Sequence, residues 1–151
     1  MEKVAKFWVV QNDPDIQKDK IKLPHRSTVG SAAYDFYSPI SFELKPGENI
    51  VIKTGIRCCI DPGWVLLICP RSSMGFKYSV SLVNTLAVID SDYYYSDNEG
   101  HIMIKLHNGG DKSMFVNEGD RFCQGMFVPF GITYDDDADE IRNGGMGSTG
   151  I

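Results

Sequence analysis

The sequence predicts an all-β fold, an antiparallel sandwich or barrel with at most one short helix. Apolar runs of strand length recur along the chain, and each run is closed by a turn rich in glycine, proline or asparagine. These turns recur every ~10–15 residues, the spacing of antiparallel sandwiches and barrels. The chain has 151 residues, a length that fits one domain.

Six runs have the apolar and β-branched composition of strands. In chain order they are KFWVV, NIVIKTGIRCCI, GWVLLIC, SVSLV, HIMIKLH and RFCQGMFVPF. The predicted turns between them are Lys45-Pro46-Gly47, Asp61-Pro62-Gly63, Asn98-Glu99-Gly100, Asn108-Gly109-Gly110 and Glu118-Gly119-Asp120. In such turns proline fixes φ, while glycine and asparagine tolerate left-handed backbone. One short helix is expected near residues 72–77, directly after a proline.

Composition limits the function classes. The formal net charge is −5, so a general nucleic-acid surface is not expected. No stretch reaches the ~18 apolar residues of a membrane span. The four cysteines do not have the spacing of a zinc knuckle, so we interpret them as reduced residues of a cytoplasmic protein. A polyanionic ligand would need local arginines or a metal ion to offset the negative background.

The segment PRSSMG, residues 70–75, has the composition of a phosphate-binding loop. Arg71 supplies a planar fork of donors, and Ser72 and Ser73 supply hydroxyl groups. Taken alone, the same segment could be a helix start with a serine cap.

Four further stretches carry polar groups in unusual places. AAYDFYSP contains Asp35, and NTLAVIDSDY ends in Asp90, Asp92 and Tyr93. GDRFCQ places Gln124 inside a strand, and RNGGMGSTG is the glycine-rich stretch at the end of the sequence. Each has an ordinary alternative. An aspartate can be a turn residue or a hydrogen-bonded structural group, a strand glutamine can pair with the backbone, and a glycine-rich end can be a loose terminus. The acidic run DDDADE is expected to be a solvated loop.

Together and in order, these segments resemble the five motifs of the trimeric dUTP pyrophosphatases (dUTPases). The first motif corresponds to KLPHRSTVGSAAYDFYSP, and the similarity runs from Leu23 to Gly150. The resemblance implies a distorted jelly roll of antiparallel strands, similar to a β-clip. It also implies one β domain over residues 1–141 and a mobile arm over residues 142–151 that closes a neighbouring subunit's site.

The resemblance implies hydrolysis of dUTP to dUMP and pyrophosphate with Mg²⁺. This reaction limits uracil incorporation into DNA and supplies dUMP for thymidylate synthesis. The protein would be a homotrimer with shared active sites. Each site would take motifs one, two and four from one chain, motif three from a second chain and the arm from a third.

By this resemblance Asp90 is the base that activates a water for attack on the α-phosphorus, which suits a carboxylate in a partly dry pocket. Asp35 would hold a water on Mg²⁺, an ion that protein sites bind through few carboxylates and many waters. Tyr93 would pack on the deoxyribose and exclude a 2′-hydroxyl, and Asn84 would help to recognise uracil.

The other residues implied by the resemblance contact the phosphates or the base. Arg71, Ser72 and Ser73 would hold phosphates, Gly75 would allow close backbone approach, and Gln124 would lie near the α-phosphate. In the arm, the expected substrate contacts are made by Arg142 (γ-phosphate), Met146 (uracil), Gly147, Ser148 and Thr149.

The chain departs from the family pattern in three places. Met146 stands where an aromatic ring usually stacks on uracil, and Arg142 is one residue closer to Gly144 than is common. After Tyr93, the segment from Tyr94 to Glu99 predicts a longer hairpin, as in dUTPases of Gram-positive bacteria and their phages. That hairpin is a possible surface for a protein partner.

Two alternatives remain at this point. The first is dCTP deaminase, which shares the fold but uses a glutamate on the strand after motif three, where this chain has Lys105. The second is a nucleotide-gated binding protein that acts on a partner through the Tyr94 to Glu99 segment.

Overall fold

The structure, a computed structural model, describes residues 1–142 and 144. Within these residues the chain forms twelve strands, one α-helix and two 3-10 helices. The strands are β1 Ala5–Val9, β2 His25–Arg26, β3 Tyr34–Tyr37, β4 Phe42–Leu44, β5 Asn49–Lys53, β6 Ile56–Ile60, β7 Trp64–Pro70, β8 Val80–Leu82, β9 Ala87–Ile89, β10 Met103–Asn108, β11 Met114–Val116 and β12 Arg121–Pro129. The helix α1 is Ser72–Tyr78, and the 3-10 helices are Lys18–Lys20 and Ser91–Tyr95. The predicted all-β class with one short helix is therefore confirmed.

The strands form four antiparallel sheets. The largest has the order β2-β3-β12-β7-β9, and the others are β5-β10-β8, β1-β6 and β11-β4. Their inward faces share one apolar core, in which Phe36, Leu66, Ile68 and Phe122 are fully buried. The longest ladder joins β12 to β7, from Cys123 opposite Pro70 to Pro129 opposite Trp64. The five-stranded sheet therefore provides a rigid frame for the residues at its strand ends.

The prediction of one strand over NIVIKTGIRCCI is wrong, because the run divides at Thr54 and Gly55. Gly55 has a left-handed φ of 75°, which ends β5. The buried Thr54 hydroxyl donates to the Ile102 carbonyl at 2.6 Å, and this bond to a distant segment stabilises the bend between β5 and β6. β5 then pairs with β10, and β6 pairs with β1.

The turn predictions are confirmed at four sites where the backbone has positive φ: Gly47, Gly63, Gly100 and Gly119. The strands β2, β3, β4 and β11 were not predicted. Each has two to four residues, too few to show an apolar run.

The predicted hairpin from Tyr94 to Glu99 is wrong. The segment continues the 3-10 helix Ser91–Tyr95 into successive turns. The amide of Ser96 donates to the Tyr93 carbonyl, and the amide of Glu99 donates to the Ser96 carbonyl. These bonds are local, so no cross-strand ladder forms. Burial of Tyr93, which is 4% exposed, draws the segment onto the core.

No helix within residues 1–142 and 144 is both long enough and apolar enough to span a bilayer.

Candidate active site

Three neighbouring strands bring the first, second and fourth motifs together. Asp35 on β3 lies opposite Gln124 on β12, and Gln124 lies opposite Cys69 near the end of β7. Residues directly opposite each other in an antiparallel pair project from the same face. Arg71 follows β7 directly. We call this group the arginine cluster: Asp35, Arg71, Ser72, Ser73, Arg121 and Gln124.

Asp35 is the centre of the arginine cluster and is only 6% exposed. Its Oδ1 lies 3.2 Å from Arg71 Nε. Its Oδ2 accepts hydrogen bonds from the Ser27 hydroxyl at 2.7 Å and from Arg121 Nη1 at 3.4 Å. Two guanidinium groups thus share one carboxylate, so the cluster carries an excess of positive charge. Their remaining donors can bind an anion.

Helix α1 begins at Ser72, and its N-cap is Arg71, which makes no side-chain cap bond. The ordinary alternative of a serine cap is therefore not observed. Both Ser72 and Ser73 are exposed beside Arg71. A Cβ at Gly75 would have no atom within 4 Å among residues 1–142 and 144 outside its own helix, so the described contacts do not require glycine there. Arg71, Ser72 and Gly75 line one side of a groove of about 720 Å³.

The third motif forms a separate cleft. β9 ends at Ile89, and Asp90 is the N-cap of the 3-10 helix Ser91–Tyr95. The cleft encloses about 160 Å³ and is lined by Asn84, Ala87, Val88, Ile89, Asp90, Tyr93 and Arg142. We call it the β9 cleft. Burial raises the pKa of the Tyr93 phenol, while a hydrogen bond from Asn98 opposes that rise. Asp90 is half exposed, so its carboxylate is accessible to solvent.

Arg142 closes one end of the β9 cleft in the single chain. Its Nη2 donates to Asp90 Oδ2 at 2.7 Å, and its Nε donates to Asp92 Oδ1 at 3.0 Å. The guanidinium also lies 5.9 Å from the centroid of the Tyr93 ring. One arginine is thus shared by two carboxylates, which leaves the cleft with an excess of negative charge.

The arginine cluster and Asp90 in the β9 cleft lie at opposite ends of one strand pair. Ile89 is opposite Leu66 in the β7-β9 ladder, and Asp90 is the next residue. Asp90 therefore lies near the start of β7, whereas Arg71 lies five residues after Leu66, just past the end of β7. At about 3.3 Å per residue, Asp90 and Arg71 are separated by about 20 Å along the strands. Within one chain they cannot contact the same phosphate group.

The donor set suits magnesium bound through water. Within residues 1–142 and 144, no three His, Cys, Asp or Glu side chains are grouped to hold a metal ion directly. Both hydrogen bonds that Asp35 accepts from the described residues go to Oδ2. Oδ1 lies 3.2 Å from Arg71 Nε, and its second lone pair can accept a bond from a metal-bound water, in line with the preference of Mg²⁺ for few carboxylates and many waters.

The structure brings Asp35, Arg71, Ser72, Ser73 and Gln124 together, and it groups Asn84, Asp90, Tyr93 and Arg142 elsewhere. The remaining predicted residues lie outside the described residues: Met146, Gly147, Ser148 and Thr149.

Three polar residues of these clusters were not predicted. Arg121 and Ser27 hold Asp35, and Asn98 donates to the Tyr93 hydroxyl. Arg121 stands in GDRFCQ and Ser27 in HRST, so polarity beside a motif was a usable signal for both. Asn98 looked like an ordinary turn residue.

Comparison with known proteins gives one consistent family. The family model for dUTPase matches residues 19–150. The deoxyuridine 5′-triphosphate nucleotidohydrolase of Lactococcus lactis is 40% identical over 133 residues, covering 86% of this chain and 89% of the relative. The corresponding enzyme of Dictyoglomus turgidum is 36% identical over 145 residues, covering 90% of this chain and 95% of the relative.

Among solved structures, the dUTPase of Streptococcus mutans superposes with a TM-score of 0.72 at 33% identity, covering 84% of this chain and 97% of that one. A mutant dUTPase of Staphylococcus aureus phage phi11, described with a structural Mg(II) ion, superposes with a TM-score of 0.69. Its identity is 20%, and the superposition covers 90% of this chain and 97% of the phage chain. At that identity the likeness concerns the fold alone.

Proposed function

The chain belongs to the dUTPase family, and on that premise we propose that it is a dUTP diphosphatase, which hydrolyses dUTP to dUMP and pyrophosphate. The observation that carries the proposal is the division of charge between the two clusters. The arginine cluster has two arginines around one carboxylate, and the β9 cleft has two carboxylates around one arginine. A triphosphate suits the first cluster, and activation of water suits the second.

In the proposed reaction the arginine cluster holds the triphosphate. Arg71 donates its free N–H groups to phosphate oxygens, and the exposed hydroxyls of Ser72 and Ser73 add further donors. Gly75 lets the phosphates approach the backbone. Gln124, which lies opposite Asp35 in the sheet, positions the α-phosphate. Positioning and charge stabilisation are the main contributions a protein makes to phosphoryl transfer.

Asp90 is proposed as the base. Its carboxylate takes a proton from a water molecule, and the resulting hydroxide attacks the α-phosphorus. The bond from the α-phosphorus to the bridging oxygen breaks, and pyrophosphate leaves with the electron pair. Asp90 suits this role because its carboxylate is accessible at the end of the β9 cleft. Its pairing with Arg142 must be exchanged when substrate binds.

The β9 cleft is proposed to select the nucleoside. Asn84 and the adjacent backbone recognise uracil, and the Tyr93 ring packs on the deoxyribose. The cleft is small, at about 160 Å³, and a 2′-hydroxyl pressed against an apolar ring without a partner costs ~1–3 kcal/mol.

Magnesium is proposed as the cofactor, held through a water on Asp35 and by the phosphates themselves. When bound, it neutralises charge on the phosphate chain. In the protein, Arg71, Arg121 and Ser27 fix the orientation of Asp35, so its Oδ1 faces a defined direction before the ion arrives.

A homotrimer with shared sites is proposed because one chain holds the two clusters about 20 Å apart along the strands. A heterologous ring can place the arginine cluster of one copy against the β9 cleft of the next. Motif five is proposed to complete the site from a third copy through residues 142–151. There Arg142 would reach the γ-phosphate, Ser148 and Thr149 would donate to phosphate oxygens, and Met146, followed by Gly147, would cover uracil.

The proposal includes a cytoplasmic location, because free cysteines are usual in reducing compartments and the cysteines here are free. Its metabolic role would be to limit uracil in DNA and to supply dUMP for thymidylate synthesis. Deamination is not supported, because Lys105 stands on β10 where a deaminase needs a glutamate, and its side chain faces solvent.

The direct test is pyrophosphate release from dUTP, UTP, dTTP and dCTP with Mg²⁺. We expect release from dUTP to exceed release from each of the other three. Equal release from dUTP and UTP would contradict the proposed selectivity. Conversion of dCTP to a uracil nucleotide would instead favour the deaminase.

A further inference from the structure

The hydroxyl of Tyr93 is fixed by two hydrogen bonds deep in the chain. It donates to the His101 carbonyl at 2.6 Å and accepts from the Asn98 side-chain amide at 2.9 Å. Tyr93 is almost fully buried. A ring attached to the backbone at one end and hydrogen-bonded at the other cannot swing about χ1 without breaking a buried bond, which costs ~1–3 kcal/mol.

Asn98 uses both ends of its amide. Nδ2 donates to the Tyr93 hydroxyl, while Oδ1 accepts from the Gly100 amide at 3.2 Å. The Asn98 carbonyl also accepts from the His101 amide. Among the side chains, asparagine and glutamine carry a permanent amide donor and carbonyl acceptor on one planar group. An alanine at 98 would remove both bonds, and an aspartate would keep only the acceptor.

The turn that carries Asn98 is itself held in place. Glu99 has a left-handed φ of 63°, an uncommon conformation for a residue with a side chain. Its carboxylate accepts the amides of Gln11 and Asn12 at 3.1 and 2.8 Å. Such strain persists only where the surroundings over-determine it. The N-terminal segment therefore fixes the backbone on which Asn98 stands.

Gly100 packs this turn tightly against Tyr93, with no room for a side chain. It has a φ of 67°, and an added Cβ would lie 2.5 Å from the Tyr93 carbonyl oxygen. The backbone after Asn98 is thus packed directly against the backbone of Tyr93. The backbone of Asp90 is linked to the same turn, because the Tyr93 amide donates to the Asp90 carbonyl at 3.2 Å.

We propose that Asn98 is a positioning residue that holds the Tyr93 ring at the wall of the β9 cleft and so sets the discrimination between 2′-deoxyribose and ribose. The inference rests on the proposed function, in which that ring faces the sugar. It assigns the segment from Tyr94 to Glu99 a role inside its own chain. Loss of the amide leaves the hydroxyl with the bond to the His101 carbonyl alone, so the ring is held less firmly and a 2′-hydroxyl is excluded less strongly.

The test compares kcat/KM for dUTP and UTP in wild type, Asn98→Ala, Asn98→Asp and Tyr93→Phe. Loss of one hydrogen bond to a neutral partner is expected to lower the dUTP to UTP ratio roughly three- to tenfold. Asn98→Asp should lower it similarly, since the donor is the group that is lost. Asp97→Ala is the matched control: Asp97 is an exposed neighbour on the same turn and should leave the ratio unchanged.

A double-mutant cycle separates positioning from general loss of stability. In the Tyr93→Phe background, the change Asn98→Ala should have no further effect on the ratio, because the shared hydroxyl is gone. A merely structural residue would lower the melting temperature and leave the ratio of the folded enzyme intact. If Asn98→Ala does not fold, the dUTP to UTP ratio of kcat/KM in Asn98→Asp tests the inference instead.

An unchanged ratio in a folded Asn98 variant overturns the inference, as does an equal effect of Asn98→Ala in the Tyr93→Phe background. If wild type itself fails to prefer dUTP over UTP, the proposed function fails first and the inference falls with it. The wild-type ratio therefore distinguishes the two failures.

Discussion

The arginine cluster and the β9 cleft are built in opposite ways. The arginine cluster stands on the two longest strands and on β3 beside them, and β12 is paired along most of its length with β7. The β9 cleft stands on a three-residue strand and a 3-10 helix, and side chains hold it in place. Backbone hydrogen bonds between strands hold the arginine cluster in place. The β9 cleft is held by hydrogen bonds of Asn98, Glu99 and His101.

Their charges are also opposite. Two arginines enclose Asp35 in the arginine cluster, whereas two aspartates enclose Arg142 in the β9 cleft. Each cluster is partly neutralised by its own chain, and each offers the charge that the other lacks. In the proposed homotrimer each cluster supplies half of a site, so changes in the two clusters should have different kinetic signatures.

The largest effect is expected from Asp90, the proposed base in the β9 cleft. Asp90→Asn keeps the shape but removes the proton acceptor, so turnover should fall ~10²–10⁴-fold while nucleotide affinity stays near wild type. Asp92→Asn is the matched control, because Asp92 also pairs with Arg142 but is not proposed as the base. Turnover and binding of a non-hydrolysable dUTP analogue measure the two effects. Near-normal turnover of Asp90→Asn would assign the base to another group.

A smaller effect is expected from the arginine cluster. Arg71→Ala removes charge-assisted hydrogen bonds to the substrate, each worth about 1.5–3 kcal/mol, so kcat/KM should fall roughly 10- to 100-fold. Arg71→Lys should recover only part of the loss, because lysine keeps the charge and loses the planar fork. Steady-state kinetics with dUTP tests both variants. Full activity of Arg71→Lys would mean that charge alone suffices in this half.

The smallest expected effect is a pH dependence of stability from His101, whose carbonyl accepts the hydroxyl of Tyr93 in the β9 cleft. His101 is buried, and its Nε2 accepts the Gly55 amide at 2.9 Å. Burial lowers the pKa of His101, although the carboxylate of Asp13 opposes this shift. The unfolded chain therefore takes up a proton first as the pH falls. The free energy of unfolding should be level above about pH 6.5 and decline below it, by at most about 1.4 kcal/mol per pH unit.

Urea unfolding at pH 7, 6 and 5 measures this decline. His101→Gln keeps an acceptor for the Gly55 amide and should flatten the slope. His25→Gln changes an exposed histidine and serves as the control, in which the slope stays. The pKa of Asp13 is also lowered, mainly by hydrogen bonds from the Asp15 amide and Lys53, but its contribution is lost only as the pH falls below about 4. An equal slope in wild type and His101→Gln would assign the decline to another group.

The same contrast explains what the sequence could predict. The arginine cluster was largely predictable, because PRSSMG follows a long apolar strand and Gln124 stands inside another. Its partner Arg121 was missed, since pairing across strands depends on register, and β12 contains a register shift between Arg121 and Cys123.

The β9 cleft was only partly predictable. Asp90 and Tyr93 could be located in NTLAVIDSDY, but the segment after them was mistaken for a hairpin. Its path depends on contacts distant in sequence, such as Glu99 with the amides of Gln11 and Asn12. The split of NIVIKTGIRCCI at Gly55 likewise depends on the tertiary contact between Thr54 and Ile102. Local composition carries no information about such partners.

Mixing two impaired chains tests the central claim most directly, namely that one active site takes the arginine cluster from one copy and the β9 cleft from another. Asp90→Asn and Arg71→Ala chains are co-refolded in equal amounts, and dUTP hydrolysis is compared with each parent refolded alone. In a threefold ring every mixed trimer has one interface that joins a wild-type Arg71 to a wild-type Asp90, so random mixing should restore about a quarter of the wild-type rate. Activity no higher than the mean of the two parents, in trimers verified as mixed, would contradict the claim and place both residues in a site within one chain.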